Sequence, residues 1–380
     1  MVPYTLNMPT KVYFGREILK ESLEKEKSFF SGNILIVTTG RSLIKFGHLD
    51  KICGLLRSLP AVNEVFVFDE ISSNPLVEKI DDCISFGIKN NVSVVVGFGG
   101  GSALDAAKAV AAGIGMKVSC RDLFDNDVEP SEKTLPIVAV PTTAGTGSEL
   151  SKAAILSDDK KKVKKGLRGK NLFPSVAIVD SLFTETVPFA ATMETGFDAL
   201  THAIESYISK AASPYTKMLS ETAIRIIGKN LPLLAENLNN SDARTQMSYA
   251  SMIMGINLGN ASTCLPHRMQ YPLGAYTNTS HGAGLAALYP AWLYYEADVS
   301  LEKLIYIMSL LGYPDCTNRD DVISAFSSFT ANFKLPSSLK ELGVQKEQLE
   351  LFCNEITGNI KNDPVAVSDN VIQKIYNKAF

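Results

Sequence analysis

Three of the four histidines and one aspartate offer the donor atoms of a metal site. Asp198 and His202 are four residues apart among apolar neighbours, a spacing that places both side chains on one face of a helix, one turn apart. A carboxylate and an imidazole so placed can bind one divalent ion together. His267 and His281 complete a set of one carboxylate and three imidazoles that suits iron(II) or zinc. We expect the remaining histidine, His48, to lie in a surface loop.

A glycine-rich segment, Gly97-Phe-Gly-Gly-Gly-Ser102, follows an apolar strand pattern and precedes a helical one. Adjacent glycines let the backbone approach a ligand where a Cβ atom would clash, and the amides at a helix N-terminus attract an anion such as a pyrophosphate. The usual dinucleotide-binding fingerprint would need glycine at position 102. We therefore predict a phosphate-binding turn, and the alternative is a sharp turn that binds no ligand.

Two further polar segments are candidates for ligand contacts. The segment from Pro141 to Glu149 is rich in hydroxyl and glycine residues that suit hydrogen bonds to phosphate, ribose or a ring edge, although an ordinary polar loop is an equal alternative. It is not a P-loop, because Glu149 stands where the phosphate-binding lysine would be needed. The basic run at 160–165 is typical of a solvated hairpin edge from which one lysine could reach a phosphate.

Composition limits the function classes. The 37 basic and 40 acidic residues give a net charge of −3, which argues against a general nucleic-acid-binding protein. The six cysteines form no CxxC pair, as expected in a reducing compartment. The first residues lack a signal-peptide pattern and no apolar run is long enough to cross a membrane, so we expect a cytoplasmic protein without membrane contact.

The candidate residues must be positioned by two different kinds of structure. A chain of 380 residues suggests two domains. The first part alternates predicted strands with predicted helices, which indicates a parallel, doubly wound sheet. The strands are 33–37, 65–68, 92–96 and 135–140, and the helices are 41–59, 76–89 and one from about residue 102. From about residue 188 the pattern is helical, with helices predicted at 192–209, 213–229, 231–239 and 242–258.

The ordered motifs resemble those of the iron-containing (group III) alcohol dehydrogenases, which include lactaldehyde reductase and butanol dehydrogenase. The resemblance rests on the following segments: Met8-Pro-Thr-Lys-Val-Tyr-Phe-Gly15, Gly99-Gly-Gly-Ser-x-x-Asp105-x-x-Lys108, Pro141-Thr-Thr-x-Gly-Thr-Gly-Ser-Glu149, Asp198-Ala-Leu-Thr-His202, and His267 to His281 with Pro272-Leu-Gly-Ala275 between them. It implies a Rossmann-like nucleotide domain at 1–183 and an all-helical metal-binding domain at 184–380, the architecture of the dehydroquinate synthases.

The resemblance also implies roles for individual residues. The metal ligands fall on Asp198, His202, His267 and His281. The family's dinucleotide contacts fall on these positions: Asn74, Gly99, Gly100, Gly101, Ser102, Asp105, Thr142, Thr143, Thr146, Ser148 and Lys164, with Lys165 as the alternative lysine.

Two departures from the family pattern bear on specificity. Tyr271 replaces a histidine thought to assist proton transfer or substrate placement, and Arg268 follows the third ligand directly. Thr39 occupies the position where NAD-preferring members often have aspartate, and it is followed by Gly40 and Arg41. An arginine there would attract the 2′-phosphate of NADP(H), so we expect NADP(H) to be preferred over NAD(H).

The predicted activity is that of an NAD(P)-dependent alcohol dehydrogenase or aldehyde reductase, acting on a CH–OH group. Hydride would pass between nicotinamide C4 and a small metal-bound alcohol or aldehyde, one with an anionic end, such as phosphonoacetaldehyde, if Arg268 faces the substrate. Pairing of Arg268 with a surface carboxylate is the alternative. The resemblance also implies a homodimer or larger homo-oligomer. The rival function is that of a nucleotide-dependent metal lyase of the dehydroquinate synthase type.

Overall fold

The first half of the chain forms a parallel sheet, as predicted. The computed structural model describes residues 3–39, 41–126, 128–365 and 368–380, so Gly40 of the 39–42 segment lies outside the described residues. Six strands form the sheet in the order β1-β8-β5-β4-β2-β3, and every neighbouring pair is parallel. They are β1 (Lys11–Gly15), β2 (Gly32–Val37), β3 (Val62–Phe68), β4 (Val92–Gly99), β5 (Ile137–Pro141) and β8 (Val176–Asp180). Between β5 and β8, β6 (Ala153–Asp158) and β7 (Val163–Arg168) form a separate antiparallel hairpin.

Helices cover both faces of the sheet. They are α1 (Leu19–Lys25), α2 (Arg41–Lys45), α3 (His48–Arg57), α4 (Val77–Lys89), α5 (Gly101–Met116) and α6 (Cys120–Asp125). Along β2, Leu35 and Val37 belong to one buried apolar cluster, whereas Ile34 and Ile36 belong to another. This alternation is what a strand buried on both faces requires.

The single helix predicted at 41–59 is wrong, because the chain breaks between α2 and α3. Gly47 has φ +71°, a left-handed conformation that interrupts the helix and that glycine adopts without steric cost. The surface-loop prediction for His48 is also wrong. His48 is the first residue of α3, is half-buried, and packs edge-on against Phe183 with 5.2 Å between ring centroids.

The second half of the chain is helical and is built around one large apolar core. Its helices are α7 (Phe189–Ile208), α8 (Pro214–Glu236), α9 (Ser241–Asn260), α10 (Leu265–Thr277), α11 (His281–Leu310), α12 (Arg319–Thr330), α13 (Gln348–Asn354) and α14 (Asp369–Ala379). Two helices predicted at 213–229 and 231–239 are one helix, α8. Pro232 lies inside it, but the burial of Leu231 and Leu234 on either side keeps the helix continuous.

The change from sheet to helices lies between the end of β8 at Asp180 and the start of α7 at Phe189. The domain division at 183/184 falls at the end of a short 3-10 turn, Ser181–Thr184, and stays a prediction. Among the described residues, no helix combines the length and the apolar composition that a membrane crossing requires.

Candidate active site

Residues from both halves of the chain line one cleft. Its volume is about 1040 Å³, including the part that is open to solvent. The first half contributes the start of α5, the turn after β5 and the β6–β7 hairpin, and the second half contributes α7, α10 and α11. The turns after β4 and β5 meet because the strands are parallel, and Thr142 N–H donates to Gly99 O at 2.9 Å. Such a position, at the carboxyl ends of parallel strands, is where open α/β sheets bind ligands.

The four predicted metal ligands converge at one end of this cleft. Asp198 and His202 lie one turn apart on α7, His267 is in the first turn of α10, and His281 is the first residue of α11. The Nε2 atoms of His202, His267 and His281 lie 3.7, 3.5 and 3.6 Å from Asp198 Oδ1. Although burial acts to raise it, the three imidazoles hold the pKa of Asp198 well below its usual value.

The donor atoms fit a divalent ion. Asp198 Oδ1 and His267 Nε2 are buried and have no hydrogen-bond partner among the described residues. Ligand atoms of Asp198, His267 and His281 all lie within 4.8 Å of one another. Buried polar atoms without partners are costly, and one cation between them would satisfy the set. One carboxylate and three imidazoles suit iron(II) or zinc.

Each histidine is oriented through its other ring nitrogen. His267 Nδ1 lies 2.8 and 2.9 Å from the two carboxylate oxygens of Glu205, and His281 Nδ1 lies 2.5 Å from Gln270 Oε1. His202 Nδ1 lies 3.3 Å from Gly145 O. These acceptors favour a proton on Nδ1 and leave each Nε2 lone pair facing Asp198.

Sequence reasoning did not identify Glu205 or Gln270. The available signals were weak, because Glu205 is one of three acidic residues on α7 and Gln270 is a single amide three residues after His267.

Two buried carboxylates fix the start of α10, the helix that carries His267. Cys264 N–H donates to Glu205 at 2.7 Å, and Leu265 N–H donates to Asp363 Oδ2 at 2.8 Å. Asp363 also accepts a hydrogen bond from Trp292 Nε1 at 3.1 Å. Because the first amides of a helix have no partner within it, these external acceptors hold the N-terminus of α10 in place.

The glycine turn packs tightly against the hydroxyl-rich turn. A Cβ atom at Gly101 would lie 2.6 Å from Thr146 Cγ2, and one at Gly99, where φ is +154°, would lie 2.7 Å from Ala103 Cβ. Gly100 is the N-cap of α5, and its Cβ would lie 3.3 Å from Thr143 Oγ1. The glycines therefore serve the packing of these turns as well as leaving room for a ligand.

Asp105 and Ser148 line the cleft but contact each other. Ser148 Oγ donates to Asp105 Oδ1 at 2.5 Å, and Lys108 Nζ donates to Ser148 Oγ at 2.7 Å and to Ala153 O at 2.7 Å. Asp105 Oδ2 also accepts from Ile155 N–H at 2.8 Å. The network joins α5 to the hairpin and leaves both side chains at the cleft wall.

The basic run lies on a hairpin, as predicted, but one of its lysines is buried. Lys164 lines the cleft, and its Nζ donates to Asn74 Oδ1 at 3.0 Å. Burial lowers the pKa of Lys164 to about 8. Asn74 in turn donates to Asn278 Oδ1 at 2.8 Å. Lys165 Nζ instead lies over the Phe124 ring, 4.9 Å from its centroid.

The structure brings five of the remaining predicted residues to the cleft. Asn74, Gly101, Ser102, Thr146 and Tyr271 line it. The hydroxyl of Ser102 donates its hydrogen bond to Ser73 O within the protein.

The predicted residues that do not line the cleft lie near the ends of β2, β4 and β5: Thr39, Arg41, Gly99, Gly100, Thr142 and Thr143. Thr142 is buried, and Arg41 is exposed at the start of α2.

Arg268 lies inside the cleft wall and is 4% exposed. Its Nη1 donates to Tyr271 Oη at 2.7 Å, its Nη2 to Thr263 Oγ1 at 3.1 Å, and its Nε to Asn359 O at 3.4 Å. Within the described ranges no carboxylate lies within ion-pair distance of it, so the surface-pairing alternative is wrong.

Comparison with known proteins decides the family. Residues 9–181 match the model of "Iron-containing alcohol dehydrogenase", and residues 192–380 match that of "Fe-containing alcohol dehydrogenase family, C-terminal". The chain belongs to the iron-containing alcohol dehydrogenase family. Iron-containing alcohol dehydrogenases bind NAD(H) or NADP(H) and a metal, so this enzyme is an NAD(P)-linked oxidoreductase acting on alcohols. The matches do not support the lyase alternative.

Individual relatives of this alcohol dehydrogenase differ in substrate. The 1,3-propanediol dehydrogenase of Citrobacter freundii is 33% identical, over 98% of this chain and 98% of its own. The NADPH-dependent butanol dehydrogenase of Clostridium saccharobutylicum is 31% identical, over 92% of this chain and 89% of its own. The structure of sulfoacetaldehyde reductase from Bifidobacterium kashiwanohense in complex with NAD+ is 27% identical and superposes with a TM-score of 0.89, over 100% of this chain and 99% of its own.

Proposed function

We propose that the enzyme interconverts a small aldehyde and its alcohol, and that the substrate has an anionic end, as phosphonoacetaldehyde has. The observation that carries this proposal is the position of Arg268, a buried guanidinium in the cleft wall directly after the ligand His267. Its hydrogen-bond partners are neutral oxygens. A buried charge without a counter-ion is costly, and an anionic substrate end would supply the missing charge.

The sulfoacetaldehyde reductase relative supports this substrate class, since an aldehyde with an anionic end is turned over on the same fold. The propanediol and butanol dehydrogenase relatives support the alternative, a plain short-chain aldehyde. The buried, uncompensated charge of Arg268 favours the anionic substrate in this enzyme.

We propose that Asp198, His202, His267 and His281 hold the metal ion, with iron(II) preferred and zinc as the substitute. When bound there, the ion supplies Lewis-acid polarisation of the substrate oxygen. Glu205 and Gln270 orient two of the imidazoles. His202 and His267 are buried, whereas His281 is partly exposed to the cleft.

We propose that the dinucleotide lies along the other end of the cleft. The N-terminus of α5 at Gly101 and Ser102 would hold the pyrophosphate, and Lys164 with Asn74 would bind the ribose nearest to the nicotinamide. Thr39 and Arg41, which lie outside the cleft lining just after the end of β2, would favour NADPH over NADH. Tyr271 Oη accepts a hydrogen bond from Arg268. We propose that the Tyr271 hydroxyl donates its proton to the oxygen of the alcohol formed by aldehyde reduction.

The decisive experiment compares kcat/KM for phosphonoacetaldehyde and propanal in the wild type, Arg268→Ala and the charge-conserving Arg268→Lys. A charged hydrogen bond is worth roughly 1.5–3 kcal/mol, so the anionic-to-neutral ratio should fall about ten- to hundredfold in Arg268→Ala. Arg268→Lys should retain part of the ratio. If Arg268→Ala treats the two aldehydes as the wild type does, Arg268 takes no part in specificity and the plain-aldehyde alternative stands.

A further inference from the structure

The arrangement of cations in the cleft points to a second arginine in the anion site, which we call the second arm of that site. We infer that Arg168 and Arg268 hold the substrate's anionic end between them, and that the pair selects a doubly charged phosphonate over a singly charged sulfonate. The inference rests on the proposed function and adds to it a residue from the other half of the chain and a charge state of the substrate.

The strand geometry places Arg168 on the cleft side of the hairpin. Side chains alternate between the two faces of a strand, so Lys164 and Arg168 of β7 share one face, and Lys165 and Leu167 share the other. Lys164 and Arg168 both line the cleft. Lys165 lies over Phe124, and Leu167 belongs to the same apolar cluster as Phe124.

The Arg168 side chain is open to the cleft on one side and packs against its own hairpin on the other. It is exposed within the cleft, and its guanidinium lies close to Gly166, where a Cβ atom would be 3.1 Å from its Cζ. Burial lowers the pKa of Arg168, and the nearby charge of Arg268 lowers it further, whereas the neighbouring Tyr271 raises it. β7, which carries Arg168, packs against α10, which carries Arg268 and Tyr271, and all three side chains line the cleft. Arg268 donates to Tyr271 Oη at 2.7 Å.

Among the described residues, no carboxylate compensates the two arginines in the cleft. No carboxylate in the described part of the chain forms an ion pair with Arg168 or Arg268. The cleft-lining carboxylates Asp105 and Asp198 are occupied, one by Ser148 and Lys108 and the other by the three histidines. Lys152, which directly precedes the residue paired with Arg168 across the hairpin, adds a third cation to the lining.

This charge pattern suits a dianion. Two like charges that face one site repel each other, and an anion between them removes the repulsion in proportion to its own charge. One guanidinium can bind two oxygens of a carboxylate, so a monoanion needs only Arg268. A phosphonate offers three oxygens and two charges, which is enough for two guanidiniums. A sulfonate has the same tetrahedral shape and three oxygens but one charge, so the two anions differ in charge alone.

The experiment measures kcat/KM for phosphonoacetaldehyde, sulfoacetaldehyde and propanal in the wild type and in Arg168→Met and Arg168→Lys, above the second ionisation of the phosphonate. Lys165→Met is the matched control, because it removes a cation from the same strand on the opposite face. We expect Arg168→Met to reduce the phosphonate-to-sulfonate ratio about tenfold, Arg168→Lys to keep most of it, and Lys165→Met to leave it unchanged.

A second measurement, independent of turnover, is the binding of the unreactive ethylphosphonate and ethanesulfonate by calorimetry. The wild type should bind ethylphosphonate more tightly, and Arg168→Met should lose that preference. Equal losses for both anions would overturn the charge selection. A weaker NADPH affinity with an unchanged phosphonate-to-sulfonate ratio would overturn the inference by placing Arg168 at the cofactor.

The outcomes also separate this inference from the proposed function. If Arg268→Ala lowers the anionic-to-neutral ratio while Arg168→Met leaves every ratio as in the wild type, the second arm is refuted and the anionic substrate stands. If neither variant changes any ratio, both are refuted. Arg168→Lys keeps the test valid should Arg168→Met fold poorly.

Discussion

Removal of the Glu205 carboxylate should weaken metal binding although Glu205 is not a ligand. Its side chain is fully buried, and it accepts hydrogen bonds from His267 Nδ1 at 2.8 and 2.9 Å and from Cys264 N–H at 2.7 Å. In Glu205→Ala, His267 loses the acceptor that fixes its ring and tautomer, and α10 loses one of the acceptors at its N-terminus. The variant therefore tests whether the orientation of His267 is set by its acceptor.

The expected size follows from these contacts. Loss of a residue that orients a metal-binding histidine typically costs 10–100-fold in metal affinity, or about 1.4–2.7 kcal/mol. The unsatisfied Cys264 N–H adds a cost in folding stability of roughly 1–3 kcal/mol. Glu205→Gln keeps one acceptor oxygen and loses the charge, so it should fall between the wild type and Glu205→Ala.

The assay is the apparent Kd of the metal-free protein for Zn²⁺, measured by chelator competition, with thermal unfolding followed in parallel. His267→Ala, which removes a ligand, gives the lower reference and should show low metal content and no turnover. Glu221→Ala removes a carboxylate that binds Tyr306 Oη at 3.2 Å on the exposed side of α8 and should match the wild type. A wild-type Zn²⁺ Kd in Glu205→Ala would refute the orienting role.

Two further predictions concern the cofactor and the pH dependence of stability. Arg41→Ala should lower kcat/KM with NADPH by about tenfold and change it little with NADH, since the variant loses the charged contact that we propose to the 2′-phosphate. A wild type that uses NADH as well as NADPH would contradict this. Burial and the neighbouring Asp363 raise the pKa of Glu296 to about 8, so the folded state keeps a proton that the unfolded state loses above about pH 4.5. The unfolding free energy should therefore fall as the pH rises from about 5 to 8, by roughly 1–3 kcal/mol, and Glu296→Gln should remove this slope in denaturant titrations; an unchanged slope would contradict it.

The sequence predicted the four sheet strands β2 to β5, which contain short apolar runs, but it did not predict β1 or β8. The helix boundaries were less accurate. Nothing in the apolar spacing of 41–59 shows that Gly47 takes a left-handed conformation, since that conformation depends on how α3 packs against the sheet. Conversely, Pro232 does not end α8, because burial on both sides of it outweighs one lost backbone hydrogen bond.

The candidate site also contains residues that the sequence predicted and residues that it did not. Asp198, His202, His267 and His281 could be predicted because they are rare residue types with chemistry of their own. The groups that orient them could not, since Gln270 and Asp363 have no distinctive local pattern and their roles depend on tertiary contacts.

Arg168 was missed for a related reason. A basic residue after a basic run is typical of solvent-exposed surface, and only the pairing of β7 with β6 shows that it shares a face with Lys164.

The segment 357–363 contacts residues of the cleft from near the C-terminal end of the chain, so a newly synthesised chain can complete its cleft only after this segment has been made. Thr357 Oγ1 donates to Lys164 O, Asn359 O accepts from Arg268, and Asp363 holds the first turn of α10. On the ribosome the sheet can form as soon as β8 has emerged, because none of its strands comes from later in the chain. The part of the cleft around Arg268 must wait for residues synthesised long after the four proposed metal ligands. A nascent chain should therefore form the glycine-rich and hydroxyl-rich turns well before this part of the cleft is complete.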